Sequence, residues 1–210
     1  MDIHSAKIID LQLERAVRNL RLHQFETTIL EKKEHVIPFL QAQIAQGASV
    51  AVGGSMTLTA CGVIDWLRGG HVAFIDRYDP NIDPNVAFHK SFDADVLLMS
   101  SNAVTIEGEL VNTDGTGNRL AALIYGPKKV YVIVGINKLV FTREDAQNRI
   151  REIAAPMNNE RLSRETPCRQ TGECVDCVVP QRICSANVVL HRSHTPGRIH
   201  IVFVKETLGY

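Results

Sequence analysis

The fold of this chain is decided by the stretch Ala94-Asp-Val-Leu-Leu-Met-Ser-Ser-Asn-Ala-Val-Thr-Ile-Glu-Gly-Glu-Leu-Val-Asn-Thr-Asp-Gly-Thr-Gly-Asn-Arg119. Its first six residues predict a buried strand, and its end leads into a helix rich in Ala and Leu. In open α/β sheets ligands bind beyond the carboxyl ends of the strands, where this polar stretch would lie. Gly115 and Gly117 are free to adopt positive φ and would let backbone N–H groups approach an anion closely.

The polar side chains of this stretch allow two interpretations. A β-hairpin that turns at Glu107-Gly108, followed by a capped helix, accounts for the glycines alone. A ligand site also accounts for the crowding of charged and amide side chains, and we favour it. The crowded residues are Asn102, Glu107, Glu109, Asn112, Asp114, Asn118 and Arg119.

A second turn of the same kind follows the strand-like run 49–52. It reads Gly53-Gly-Ser-Met-Thr57 and opens a predicted helix over 57–68. This order places backbone amides and hydroxyls at a helix N-terminus, where they face a carboxylate or phosphate. The turn lacks the signatures of a Walker loop and of a dinucleotide site. We predict that it meets the Asp114–Arg119 turn around a small anion, with Lys138 nearby and the polar loop 76–81 over the site.

Strands alternate with helices between residues 26 and 158, which predicts an open, mostly parallel sheet with helices on both faces. Helices are predicted over 5–24, 32–46, 57–68 and 142–158. No linker or internal repeat divides the chain, so we expect a single domain over 1–210. Within it, 161–197 form a small C-terminal lobe that contains cysteines, and 198–210 return to the body as a terminal strand.

The composition is that of an ordinary globular protein, with 45% hydrophobic and 22% charged residues. Lys plus Arg equals Asp plus Glu, 23 each, so no net field favours nucleic acid or an anionic membrane. The apolar runs are too short to insert into a bilayer, and 1–7 lack the apolar core of a signal peptide. These features predict a cytoplasmic protein, whose thiols stay reduced.

Four of the five cysteines lie close together in the sequence. Cys168, Cys174, Cys177 and Cys184 include one C-x-x-C pair, whereas Cys61 stands alone and is predicted to be a small buried residue. In a reducing compartment such a group is more often metal-binding than disulfide-bonded. Four thiolates suit a [4Fe–4S] cluster, which we favour, or a tetrahedral zinc ion. Four unligated thiols in a folded lobe remain the simpler alternative.

Several short motifs are spread along nearly the whole chain. They are Gly53-Gly-Ser-Met-Thr-Leu58, Ser101-Asn-Ala-Val-Thr105, Gly108-Glu-Leu-Val-Asn112, Asp114-Gly-Thr-Gly-Asn-Arg119, Ile124-Tyr-Gly-Pro-Lys128, Thr166-Pro-Cys168, Thr171-Gly-Glu-Cys-Val-Asp-Cys177 and Leu208-Gly-Tyr210. With these motifs the sequence resembles the LUD-domain (lactate utilisation) proteins, in the subgroup with a C-terminal cysteine motif. The resemblance implies a fold like that of the ribose-phosphate isomerase and CoA-transferase superfamily.

The stretch 102–116 is also similar, more distantly, to part of methylthioribose-phosphate isomerase. Asn102 stands where that enzyme has an acidic residue, and an amide cannot act as an acid or base at neutral pH. The isomerase chemistry therefore does not carry over. Glu107, Glu109 and Asp114 remain as candidate catalytic carboxylates, and alternation along a hairpin does not tell which glutamate faces the cleft.

The resemblance implies a redox-linked subunit in the oxidation of L-lactate or a related 2-hydroxy acid. One alternative is an isomerase or CoA-transferase-like enzyme, and another is a non-catalytic binding module with a structural metal. We expect a small anionic ligand. Other lactate-oxidation subunits and further copies of this chain are candidate partners. The predicted ligand-binding residues are Gly53, Gly54, Ser55, Thr57, Asn102, Asn112, Gly115, Thr116, Asn118, Arg119 and Lys138.

Overall fold

The computed structural model describes residues 2–210, so Met1, the first residue of the predicted domain, lies outside the described residues. Strands and helices largely alternate along the described chain from β1 to α7, although β4, β5 and β6 follow one another directly. They are β1 Glu26–Leu30, β2 Ser49–Val52, β3 Ala73–Ile75, β4 Val96–Met99, β5 Ala103–Thr105, β6 Leu110–Asp114, β7 Lys129–Gly135, β8 Leu139–Val140, β9 Ala186–Leu190 and β10 Ile199–Val204.

The helices cover both faces of the sheet. They are α1 Ile3–Leu22, α2 Val36–Gln43, α3 Met56–Ala60, α4 Val63–Arg68, α5 Pro84–Ser91, α6 Asn118–Ile124, α7 Arg143–Arg149, α8 Ala155–Arg161 and α9 Pro167–Thr171. A π-helical turn, Ile150–Ala154, joins α7 to α8, because Pro156 has no N–H to continue the α-helical ladder. Short 3₁₀ turns lie at Lys33–His35 and Ile136–Lys138.

Six parallel strands form the central sheet in the spatial order β1-β10-β7-β4-β2-β3. Successive side chains of a strand point to opposite faces, and β7 shows this directly. Val130, Val132 and Val134 pack in a core with α1 and α6, whereas Tyr131 and Ile133 pack in a second core with α2, α3 and α4. The predicted fold class, an open parallel sheet with helices on both faces, is confirmed.

A smaller sheet of four strands, in the order β8-β5-β6-β9, lies beside the central one. The β5–β6 pair is the hairpin considered in the sequence interpretation, with its turn at 105–109. Gly108 has φ +92°, and a Cβ there would lie 2.8 Å from the backbone of Asn19 in α1. The turn therefore fits against α1 only because residue 108 is glycine.

The chain after α8 returns twice to the body. Strand β9 pairs with β6 and holds the cysteine lobe against the hairpin. Strand β10 lies next to the edge of the central sheet, between β1 and β7, and the segment 205–210 then crosses over α3. No helix within residues 2–210 has the length and apolarity needed to cross a membrane.

Two predicted helices differ from those observed. The helix predicted over 57–68 is divided into α3 and α4 at Gly62, whose φ of +68° is incompatible with a continuous helix. The helix predicted over 32–46 is shorter, because a 3₁₀ turn precedes it and residue 44 is already extended. The helix predicted over 142–158 begins at Arg143 after a capping box at Thr142, as its sequence indicates.

Candidate functional site

A cavity of about 350 Å³ opens at the carboxyl edge of the central sheet. The turns after β2, β4 and β6 form one side of it, and residues of α8 and of the segment after it form the other. Gly54 and Ser55 from the first predicted turn and Asp114 and Arg119 from the second line the same cavity. Parallel strands end at one edge, which is why turns distant in sequence meet here.

Arg119 holds together the turns that line this cavity. Its side chain is 9% exposed, and its three guanidinium nitrogens make five hydrogen bonds to groups of the surrounding turns. The acceptors are Asp114 Oδ1, Ser100 O, Asn112 Oδ1, Asn102 Oδ1 and Thr113 O, at 2.8–3.2 Å. Because a guanidinium has five N–H groups, Arg119 keeps none for a ligand.

The other crowded polar residues are engaged in the same network. Asp114 Oδ2 accepts the backbone N–H of Arg119 and of Leu120, each at 3.1 Å, and so caps the first turn of α6. The side-chain oxygen of Asn112 accepts the backbone N–H of Asn102 at 3.1 Å. The side-chain oxygen of Asn102 accepts the backbone N–H of Thr113 in β6. These side chains hold the turns together.

Gly53 lies beneath the network, where there is no room for a side chain. A Cβ on it would come within 2.9 Å of the Arg119 side-chain carbons and within 3.2 Å of Met99. Glycine at this position lets the arginine stem lie directly on the β2 turn. The group that approaches Gly53 closely is therefore the side chain of Arg119.

Three cations on the rim of the cavity have no acidic partner among residues 2–210. Arg77 lies in the loop 76–81, with its guanidinium carbon 4.5 Å from the ring centre of Phe88. Arg161, at the end of α8, bonds the side chain of Asn158, and Arg164 follows it on the same rim. The sequence predicted the loop but none of these arginines as ligand-binding residues, and the positions of Arg161 and Arg164 depend on how α8 is oriented.

Lys138 lies at the floor of the cavity and is 2% exposed. Its Nζ donates to Thr57 Oγ1 at 2.9 Å and to Ser100 Oγ at 3.0 Å. Burial, with smaller contributions from the nearby charges of Arg149 and Arg119, lowers the pKa of Lys138 from 10.5 to about 7. Among residues 2–210 it forms no ion pair.

Tyr210 closes the cavity from the end of the chain. Its hydroxyl is buried and, within residues 2–210, makes no hydrogen bond of acceptable geometry. Burial raises the pKa of Tyr210, and the charge of Arg161 opposes that rise. Asn137 positions this segment, because its side chain bonds the backbone of Leu208 and Gly209.

The two candidate glutamates do not line the cavity. Glu107 is exposed in the hairpin turn. Glu109 is 8% exposed and accepts two hydrogen bonds from Arg143, at 2.7 and 3.2 Å, and one from His191. The hydrogen bonds from Arg143 lower the pKa of Glu109 below 4.5. Burial acts in the opposite direction but is the smaller contribution. Of the other predicted residues, Gly115, Thr116 and Asn118 line the cavity.

The four clustered cysteines line a second, smaller cavity within the lobe. Cys168 is buried, and Asn159 Nδ2 lies 3.4 Å from its sulfur. All the thiols are free. Burial raises the pKa of Cys184, and Arg182 beside it lowers that value again. Within residues 2–210 no three His, Cys, Asp or Glu side chains lie close enough to hold one metal ion.

The two cavities are neighbours that share a wall. In α8 and the turn before it, Ala154 and Asn158 face the first cavity, whereas Ala155 and Asn159 face the second. Ile183 likewise lines the first cavity, although it stands between two residues that line the cysteine cavity. Backbone contacts support this junction, since the N–H of residue 185 bonds the carbonyl of residue 114 at 2.9 Å.

The fold and the site define an α/β protein with a cation-rich cavity at the sheet edge and a four-cysteine lobe beside it. A family model described as LUD domain matches residues 13–204. Because that match spans most of the chain, the protein belongs to the LUD domain family. No curated protein matches the sequence.

Two solved structures are similar to the chain. The crystal structure of a DUF162 family protein from Deinococcus radiodurans aligns with a TM-score of 0.55 and 15% identity, over 93% of this chain and 98% of that one. At this identity the likeness shows a shared fold alone. The eIF2B beta structure from Chaetomium thermophilum gives a TM-score of 0.38 and 13% identity, over 54% of this chain and 44% of that one, which is too low for any inference.

Proposed function

We propose that this LUD-domain protein is a redox-linked subunit in the oxidation of L-lactate or a related 2-hydroxy acid. In this proposal the sheet-edge cavity binds the carboxylate, and the cysteine lobe holds an electron-carrying cluster. The observation that carries the proposal is the shared wall, because successive residues of α8 face the two cavities. The thiols are free, as in a reducing compartment, which supports the cytoplasm as its location.

The charge of the cavity supports an anionic ligand. Its one lining carboxylate, Asp114, is already paired with Arg119, whereas Arg77, Arg161 and Arg164 have no acidic partner among residues 2–210. Groups of this kind are stabilised by a ligand that supplies the missing negative charge, and arginine matches a carboxylate with two parallel hydrogen bonds.

The four cysteines fit a [4Fe–4S] cluster by their chemistry. Cys168, Cys174, Cys177 and Cys184 supply four soft thiolate ligands to one cavity. A cluster distributes its four thiolates over different irons, so it needs wider spacing than a single zinc ion does. When bound, such a cluster would take up and release single electrons. Arg182 would offset thiolate charge, since it also donates to the carbonyls of two of the cysteines.

The distance between the cavities suits electron exchange. A helix with its side chains is about 10 Å across, and α8 is the element that separates the two cavities. A purely structural metal would have no reason to lie next to a ligand cavity. The lobe contacts the first cavity at residues 114–115.

Metal analysis of protein purified without oxygen tests the cluster. We expect iron and sulfide in the wild type and their loss in Cys174→Ser and Cys177→Ser, because a C-x-x-C ligand has no local substitute. Cys61→Ala is the matched control, since Cys61 is buried in the core with residues of α2, α3 and α4 and does not line the cysteine cavity. Zinc without sulfide would favour the binding module with a structural metal, and variants that keep full iron would refute the ligand assignment.

Titration calorimetry with L-lactate tests the anion site. Arg77→Gln and Arg164→Gln should each weaken binding about tenfold or more, because a charged hydrogen bond contributes about 1.5–3 kcal/mol. Arg68→Gln is the control, since this exposed arginine pairs with Asp76 outside the cavity. If Arg77→Gln and Arg164→Gln bind L-lactate as tightly as Arg68→Gln does, these arginines do not hold the carboxylate.

A further inference from the structure

Lys138 is set apart from the other cations of the cavity by its burial. The three rim arginines are partly or fully exposed, whereas Lys138 lies at the floor among hydroxyl groups. A buried ammonium is normally paired with a carboxylate, because isolation from water is costly for a charge. No such partner for Lys138 exists within residues 2–210.

Counting hydrogens around Lys138 indicates which form of the amine fits this position. Thr57 Oγ1 donates its hydrogen to Leu208 O at 3.1 Å, and Ser100 Oγ donates its own to Ser101 O at 3.3 Å. Each hydroxyl has only one hydrogen, so both must accept from Lys138. A neutral amine has two N–H groups, which match the two acceptors and leave its lone pair free. An ammonium would carry a third N–H with no partner.

The charges around the amine act in the same direction. Arg149 on α7 and Arg119 on α6 are the cations that face it, and Asp114 is already bound by Arg119. Thr57 and Ser100, whose hydroxyls accept its hydrogen bonds, are uncharged. Nearby positive charge disfavours a further cation, so the amine is neutral in a large fraction of the molecules near pH 7.

We propose that Lys138 is a nucleophilic amine that condenses with the carbonyl carbon of a 2-oxo acid bound in this cavity. This inference rests on the proposed function, because the free arginines of the rim hold the carboxylate. The nitrogen lone pair forms a bond to C2, and the carbonyl oxygen takes up protons. The two protons that leave the nitrogen are transferred to that oxygen. Water then departs, and the products are an imine and one water molecule, with no net oxidation.

Reductive trapping tests the inference on the full chain. Protein incubated with pyruvate and sodium cyanoborohydride at pH 7.5 should acquire a stable secondary amine at Lys138, seen by peptide mass mapping. Lys128 is the internal reference, because it is largely exposed, pairs with Asp95, and has a raised pKa. We expect labelling of Lys138 at least a hundredfold faster, since an ordinary lysine is almost entirely protonated at this pH.

The outcomes separate this inference from the anion site. Lys138→Arg should abolish the adduct at this position, and L-lactate binding by the wild-type protein in calorimetry reports on the anion site separately. If that variant does not fold, the wild type decides alone, because its Lys138 labelling should level off above about pH 7 while that of Lys128 keeps rising. Labelling that follows exposure, with Lys128 ahead, would overturn the inference even if lactate binds. If neither pyruvate nor L-lactate binds, both this inference and the proposed function are wrong.

Discussion

The polar stretch 100–119 and the rim formed by Arg77, Arg161 and Arg164 line the same cavity but use their side chains differently. In the stretch, Arg119 and its acceptors are engaged with one another. On the rim, the arginines have no acidic partner within residues 2–210. A side chain whose hydrogen bonds are all internal fixes the shape of a site, whereas a cation without a partner supplies affinity for an anion.

The largest effect that this comparison predicts is on stability. Replacing Arg119 by Met removes five hydrogen bonds and leaves the Asp114 carboxylate without its cation. Breaking one partner of a buried ion pair costs about 3–5 kcal/mol, and we expect a loss of that order in the free energy of unfolding. Urea unfolding followed by circular dichroism measures it.

Arg77→Met is the matched control for Arg119→Met. Arg77 contacts the face of Phe88 but forms no ion pair within residues 2–210. Its removal should cost about 1 kcal/mol or less, because a partly exposed cation–π contact is weak. Equal losses in the two variants would remove the distinction between a structural and a ligand-binding arginine.

An effect with a characteristic pH dependence is expected for Lys138. Its pKa is about 7 in the folded chain and 10.5 in the unfolded one, so the unfolded chain binds more protons between these values. The free energy of unfolding should therefore rise with pH across pH 7–10.5, by up to about 1.4 kcal/mol per pH unit. Lys138→Met should lack this slope. Parallel profiles for wild type and variant would show that the amine is not desolvated.

The sequence was sufficient to predict the sheet because strand and helix periods alternate clearly from residue 26 to 158. At residues 100–119 the sequence favoured a ligand site over a hairpin with a capped helix, and the structure contains the hairpin with a cavity beside it. The crowded polar residues were apparent, but their mutual hydrogen bonding was not. Arg161, Arg164 and Tyr210 were missed, because the rotation of α8 and the return of the chain end depend on tertiary packing.

The carboxylates outside the cavity give the smallest predicted effect. Glu109→Gln removes the charge that pairs with Arg143 and His191, whose side chains are 53% and 62% exposed. Exposed partners are well screened, so the loss of unfolding free energy at pH 7 should be about 1 kcal/mol or less.

The pH dependence of Glu109→Gln follows from the pKa of Glu109, which lies below 4.5 in the folded chain. The wild-type contribution should therefore be present at neutral pH and disappear as the pH falls through that folded value. Because Glu109 does not line the cavity, the affinity for L-lactate should stay within about twofold of wild type, a change of less than 0.5 kcal/mol. A loss of tenfold or more would instead mean that this carboxylate, and with it the hairpin, acts on the ligand.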